Sequence, residues 1–213
     1  MKRTRTSLIG LAIVALAVMM VSGCNKSTDK DGAATDKDGQ NPIVTLEMES
    51  GIKMEIELYP DVAPNTVTNF VSLVGSGYYD GLIFHRIMAG FMIQGGDPDG
   101  TGMGGPGYSI KGEFSSNGFT NDLAHVKGVI SMARTSDNPD SAGSQFFIMT
   151  GTSPNLDGDY AAFGKVIKGI EGLDIIGNVK TGAQDRPIED QLIKKMTVDT
   201  FGVEYGEPEK ITP

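Results

Sequence analysis

Ile52-Lys53-Met54-Glu55-Ile56-Glu57-Leu58 carries apolar residues on one parity and charges on the other. Side chains of a strand alternate faces, so this register turns Ile52, Met54, Ile56 and Leu58 inward and leaves Lys53, Glu55 and Glu57 in water. The run Ile43–Met48 precedes it across Glu49-Ser50-Gly51, a spacing that predicts a β-hairpin. Working outward, 29 glycines and 10 prolines in 213 residues favour short strands joined by tight turns. Strand-length apolar runs punctuated by glycine follow at residues 82–87, 91–94, 129–133, 146–150, 162–166 and 193–201. Two stretches read as helix. Pro64 opens one, where Val67, Phe70, Val71 and Val74 recur at i, i+3, i+4 and i+7 and Gly75 stands at the C-terminal end. A shorter one is predicted over residues 170–176. About eight strands with two helices predict an all-β barrel or sandwich, and closure would remove exposed edges. Periodicity alone leaves barrel and sandwich both open.

The N-terminus is of another kind. Lys2, Arg3 and Arg5 precede an apolar stretch at residues 8–21, shorter than the roughly 18–20 residues a membrane span needs. Val21-Ser22-Gly23-Cys24 resembles a bacterial lipobox, in which the cysteine thiol is lipidated and becomes the mature N-terminus. Residues 1–23 are therefore expected to be a lipoprotein signal peptide, with Cys24 anchored in a membrane by its acyl chains. Cys24 is also the chain's single cysteine, so neither an intramolecular disulfide nor a CxxC site can form. Residues 24–41 repeat Thr-Asp-Lys-Asp-Gly, hold no aromatic residue, and are expected to form a disordered tether. Their DxDG lacks the third acidic position and closing glutamate of a calcium loop. The folded domain is expected over residues 42–205, with a flexible acidic tail at 206–213. A net charge of −9 is spread along the chain; it reads as solubility and opposes nucleic-acid binding.

Three segments carry a resemblance: Phe84-His85-Arg86-Ile87 running on to Gly90-Phe91-Met92-Ile93-Gln94-Gly95-Gly96-Asp97, then Gly128-Val129-Ile130-Ser131-Met132-Ala133-Arg134, then Gly143-Ser144-Gln145-Phe146-Phe147-Ile148. With Leu156-Asp157-Gly158 and Phe163-Gly164-Lys165-Val166 in the same order, they resemble the signature of the cyclophilin family of peptidyl-prolyl isomerases. The resemblance spans roughly residues 43–201. It implies a closed eight-stranded antiparallel β-barrel capped by two helices, with the active groove on its outer face. It also implies that Arg86 and Gln94 are catalytic. Phe91, Met92, Phe147 and Leu156 would then form the proline pocket, with Ala133, Arg134, Gln145 and Tyr160 as further substrate contacts. No cofactor or metal is implied. Partners would be Pro-containing segments of exported or unfolded proteins, met by a monomer at the cell envelope.

Those residue types suit the chemistry. Rotation about X-Pro meets a barrier of ~18–20 kcal/mol, because amide resonance resists twisting. No bond breaks, so the catalyst needs only a site that prefers the twisted amide. A twisted prolyl nitrogen regains its lone pair, and a guanidinium N–H from Arg86 could donate to it; arginine is always charged and holds its donors in a rigid fork. The apolar residues would hold the pyrrolidine and exclude water. Gln94 could bind substrate backbone or orient Arg86.

The chain departs from the family in places. Well-studied eukaryotic members carry a tryptophan where this chain has Asn155, which predicts weak cyclosporin binding; Tyr160 stands at a pocket histidine and Arg134 at an asparagine. Gly100 to Gly107 holds two overlapping GxGxxG matches, yet no helix follows to receive a phosphate, so it reads as a surface loop, with Met103 and Pro106 bordering the groove. His85 and His125 lack a ligand pattern and read as structural. A holdase that grips proline segments without turnover would spare function in Arg86→Ala, whereas an isomerase would not. A solute-capturing lipoprotein rests on the anchor alone.

Overall fold

The computed structural model describes residues 39–212. The signal peptide, Cys24 and residues 24–38 of the tether lie outside the described residues. The hairpin forms as expected: β1 (Ile43–Met48) pairs with β2 (Lys53–Leu58), Val44 opposite Ile56 and Leu46 opposite Met54. Then come α1 (Pro64–Gly75), β3 (Arg86–Met88), β4 (Met92–Gly95), β5 (Val129–Met132), β6 (Phe146–Met149), β7 (Ala162–Lys168), α2 (Glu171–Gly177) and β8 (Ile193–Asp199). All eight strands pair antiparallel in one sheet of order β3-β4-β6-β5-β7-β2-β1-β8.

The expected closed barrel is corrected: the sheet is an open half-barrel. Its end strands β3 and β8 share no ladder, and the seam carries one isolated bridge, Ile83 to Leu192, with backbone bonds Gly81 N–H to Ile193 O (2.8 Å) and Phe84 N–H to Gln191 O (3.0 Å) beside it. The physical reason lies at the outer edge of β8. There the Asp80 carboxylate accepts the Met196 N–H at 2.9 Å, so a side chain occupies a donor that a neighbouring strand would have used. The strand expected over residues 82–87 accordingly shrinks to the three residues of β3.

The sheet wraps an aromatic core in which Phe70 of α1 meets Tyr79, Phe146 and Phe163 at centroid distances of 5.2, 5.4 and 5.0 Å. Such offset and edge-on contacts add to the burial of large rings. Strands β5 and β6 are buried on both faces. Ile130, Met132, Phe146 and Ile148 face this core, while Val129, Phe147 and Met149 belong to a second cluster on the opposite side. That is why β6 reads as continuously apolar and β5 is interrupted by Ser131 alone.

Helix α1 has no side-chain cap of its own, since Ala63 holds the N-cap position. Buried Glu113 supplies the missing acceptor from far along the chain, taking the N–H groups of Asn65 (3.0 Å) and Thr66 (2.8 Å) on its two oxygens. After β4 the chain turns at Gly96, where φ is +84° and a Cβ would collide with the Ser144 carbonyl. The residues beyond 205, expected as a flexible tail, are docked. Asn65 exchanges two hydrogen bonds with the Glu209 backbone (3.0 and 2.7 Å), Ser109 and Ile211 exchange two more (2.9 and 2.7 Å), and Lys210 sits 4.8 Å over the Tyr108 ring.

Candidate active site

Strand register alone assembles the site. Arg86 lies opposite Gln94, Gln94 opposite Phe147, and Phe147 opposite Ser131, so one cross-strand row runs over β3, β4, β6 and β5. The neighbouring row is Met88, Met92 and Met149. Alternation then places Ile87, Ile93, Ile130 and Ile148 in the core, and turns Arg86, Gln94 and Phe147 to the outer face.

Arg86, Phe91, Met92, Gln94, Ala133, Arg134, Phe147, Leu156 and Tyr160 line one cleft of about 220 Å³ on that face. Gln145, also expected in the site, lines an adjoining cleft of about 250 Å³ with Met103, Pro106 and Tyr108; Gln94, Ala133 and Arg134 stand between the two. The residues singled out from sequence as substrate contacts thus fall in one cleft except Gln145, which lies in the cleft next to it. Among the described residues no group of three or more His, Cys, Asp or Glu side chains converges to hold a metal ion.

A polar relay runs along the floor. Arg86 donates from one terminal nitrogen to Gln94 Oε1 (3.4 Å) and from the other to Met88 Sδ (3.0 Å). Gln94 Nε2 donates to Gln145 Oε1 (3.0 Å), and Gln145 Nε2 to the Gly104 carbonyl (2.9 Å). In this arrangement Gln94 bridges Arg86 and Gln145. Gly104 belongs to the glycine-rich loop, which wraps Asp97: its carboxylate accepts the N–H groups of Asp99 (2.8 Å), Thr101 (2.9 Å) and Gly102. Burial pushes the Asp97 carboxyl up, but these backbone donors outweigh it and hold its pKa below the usual value. The N–H groups of Asp99, Thr101 and Gly102 are thus spent on the loop's own aspartate.

The apolar wall is braced from behind. Phe147, 5% exposed, stacks on His125 at 5.9 Å and meets Tyr160 edge-on at 5.7 Å. His125 Nδ1 lies 3.0 Å from Asp157 Oδ1, which also accepts the His125 backbone N–H at 2.7 Å, and His125 Nε2 lies 3.1 Å from Ser131 Oγ. The atom order is that of a Ser-His-Asp relay, but Ser131 is fully buried and out of reach of any substrate carbonyl. The relay fixes the imidazole, and the imidazole fixes Phe147. Burial lowers the His125 pKa, against the opposing pull of Asp157. His85 is likewise buried; neither ring nitrogen has a hydrogen-bond partner, and burial lowers its pKa.

Arg134 is a wall as well. Its guanidinium lies 4.7 Å over Tyr160 and 5.2 Å over Phe114, and it donates to the carbonyls of Asp159 (3.0 Å) and Thr135 (2.9 Å). At Ala133, another of the expected substrate contacts, the backbone N–H is already committed to the Gln145 carbonyl at 3.0 Å.

Sequence reasoning missed two members of this site. Asp157 is adjacent to Leu156, yet its pairing with His125 depends on the fold. Asp185 stands 3.5 Å from Arg86 Nε and is far away in sequence, with no local pattern to mark it.

Residues 43–198 match the family described as cyclophilin-type peptidyl-prolyl cis-trans isomerase/CLD. The chain is 51% identical over 124 residues to peptidyl-prolyl cis-trans isomerase B of Bacillus subtilis, covering 58% of this chain and 82% of that one. It is 40% identical over 204 residues to a longer Streptococcus pyogenes protein described as a bifunctional phosphatase/peptidyl-prolyl cis-trans isomerase; the match takes in 78% of this chain but only 42% of that protein's length. A crystal structure of a Cryptosporidium parvum cyclophilin-type isomerase, solved in the presence of the dipeptide Ala-Pro, superposes with a TM-score of 0.67 at 36% identity, covering 74% of this chain and 98% of the other.

Proposed function

Since the chain belongs to the cyclophilin-type peptidyl-prolyl cis-trans isomerases, we propose that it turns X-Pro bonds by hydrogen-bond donation from Arg86 to the prolyl nitrogen. The observation that carries this reading is the row Arg86, Gln94, Phe147, which stands a tethered cation in the same cleft as the apolar side chains of Phe91, Met92, Phe147 and Leu156. A pyrrolidine held against Phe91, Met92, Phe147 and Leu156 would have its nitrogen near the guanidinium. The planar amide nitrogen is a poor acceptor, because its lone pair is delocalised into the carbonyl. At the half-turned geometry that lone pair returns, so the bond to Arg86 strengthens where the barrier is highest.

The clients are Pro-containing segments of proteins refolding after export, where proline isomerisation is a slow step. The setting rests on the sequence of the N-terminus: Lys2, Arg3 and Arg5, the apolar residues 8–21 and the Val21-Ser22-Gly23-Cys24 motif together suit a lipid-anchored envelope protein. Weak cyclosporin binding follows from Asn155. Exchange NMR on an Ala-Pro peptide tests the central claim. Catalytic amounts of the protein should broaden and average the cis and trans resonances, and unchanged exchange rates would end the reading.

A further inference from the structure

The short 3-10 turn Ala183–Asp185 carries an unusual backbone. Gln184 and Asp185 both adopt left-handed φ angles, +58° and +59°, in successive non-glycine residues. Such angles are strained for residues bearing a Cβ, and strain of this kind is kept where the surroundings enforce it. Here they do. Gly182 N–H donates to the Arg186 carbonyl (2.8 Å), Thr181 bridges Pro187, and Arg186 donates to the Gly100 carbonyl (2.6 Å), which ties the turn to the glycine-rich loop.

The turn packs against β3 and delivers one carboxylate to the site. Asp185 Oδ2 lies 3.5 Å from Arg86 Nε, with the two side chains 43% and 40% exposed. Gln94 and Met88 engage the terminal nitrogens of the same guanidinium. The three partners meet Arg86 from different sides, and Asp185 is the only charge among them.

Resting on the isomerase reading above, we propose that Asp185 is a positioning residue for Arg86. Its carboxylate takes the Nε edge and fixes the last torsions of the side chain, so that the terminal N–H groups stay aimed along the cleft. The left-handed turn is what puts it there. A flexible arginine loses rotamer freedom each time it must be aimed, and an acid that aims it in advance removes that cost from the catalytic step.

The test uses two substitutions and two readouts. Asparagine tolerates the left-handed region as aspartate does, so Asp185→Asn removes the charge and keeps the backbone. Asp185→Gly removes the charge and relieves the strain. Both variants are expected to lower kcat about three- to fivefold, the scale of coupling at a half-exposed ion pair, with KM changed less than about twofold. Asp185→Gly should do so while melting at or above the parent temperature, an outcome that loss of a merely structural residue would not give. Independently of activity, the Arg86 Hε proton, observed by NMR, should exchange faster with solvent in Asp185→Asn.

Unchanged kcat in both variants overturns the proposal, as does a rise in kcat, which would make Asp185 a competitor for the guanidinium. An Arg86 Hε signal insensitive to Asp185→Asn overturns it too. If the parent protein itself fails to accelerate exchange in the Ala-Pro peptide, the isomerase reading fails instead, and the Hε measurement still reports on the ion pair.

Discussion

Replacing Arg86 with alanine separates catalysis from architecture. In the resting protein its contacts are modest: a 3.4 Å bond to Gln94, a thioether contact at 3.0 Å and a half-exposed ion pair with Asp185 at 3.5 Å. Exposed pairs contribute about 0–1 kcal/mol, so Arg86→Ala should cost no more than about 1 kcal/mol of stability. In a protein of this size that is roughly 2–4 °C in melting temperature. The catalytic cost is of another order. A preorganised donor acting only at the transition state is worth ~3–4 kcal/mol, so kcat should fall by roughly two to three decades. KM should barely move, because the planar amide gains nothing from the donor. Protease-coupled or exchange-NMR kinetics on an X-Pro peptide, with calorimetry alongside, measures both. A loss of kcat below about threefold, or a loss carried by KM alone, would refute the assignment of Arg86 as donor.

Three further outcomes follow from the same structure. Glu113→Gln leaves α1 with a neutral cap in place of a carboxylate bonded to two N–H groups; with charge-assisted bonds at ~1.5–3 kcal/mol each and partial replacement by the amide, unfolding in urea should show a loss of about 2 kcal/mol. Deleting residues 206–213 removes the Asn65–Glu209 and Ser109–Ile211 pairs, about 2 kcal/mol of partly exposed hydrogen bonding, so the melting temperature should drop by roughly 4–8 °C; no change would mean the tail is not docked. Acid should act through the histidines. The pKa values of His85, faced by Asp97, Arg86 and Arg186, and of His125, faced by Asp157, are lowered chiefly by burial. The unfolded chain therefore takes up protons first, and stability is lost as pH falls below about 6.5; His125→Gln should flatten that part of the melting profile.

Much of this was written locally. The alternation at Lys53–Leu58 and the helical spacing from Val67 to Val74 needed only nearest neighbours in sequence, and both elements sit where they were expected. The site's membership was legible for a related reason. Arg86, Gln94 and Phe147 belong to short contiguous motifs, and register does the rest. What stayed hidden depends on distant partners. The open seam reflects Asp80 capping an edge donor of β8, the α1 cap comes from Glu113, and Asp185 meets Arg86 across a strained turn. A side chain that serves a remote backbone leaves no periodic trace.

One pairing sets a timetable for the molecule. β1 is hydrogen-bonded to β2 on one side and to β8 on the other, with Ile43 facing Asp199. The first strand to emerge during synthesis must therefore wait for the last, and a search over so long a stretch of chain slows folding. Until β8 arrives, one side of β1 presents unsatisfied peptide groups to any passing extended segment. A truncated copy ending before residue 193 would be left permanently in that adhesive condition.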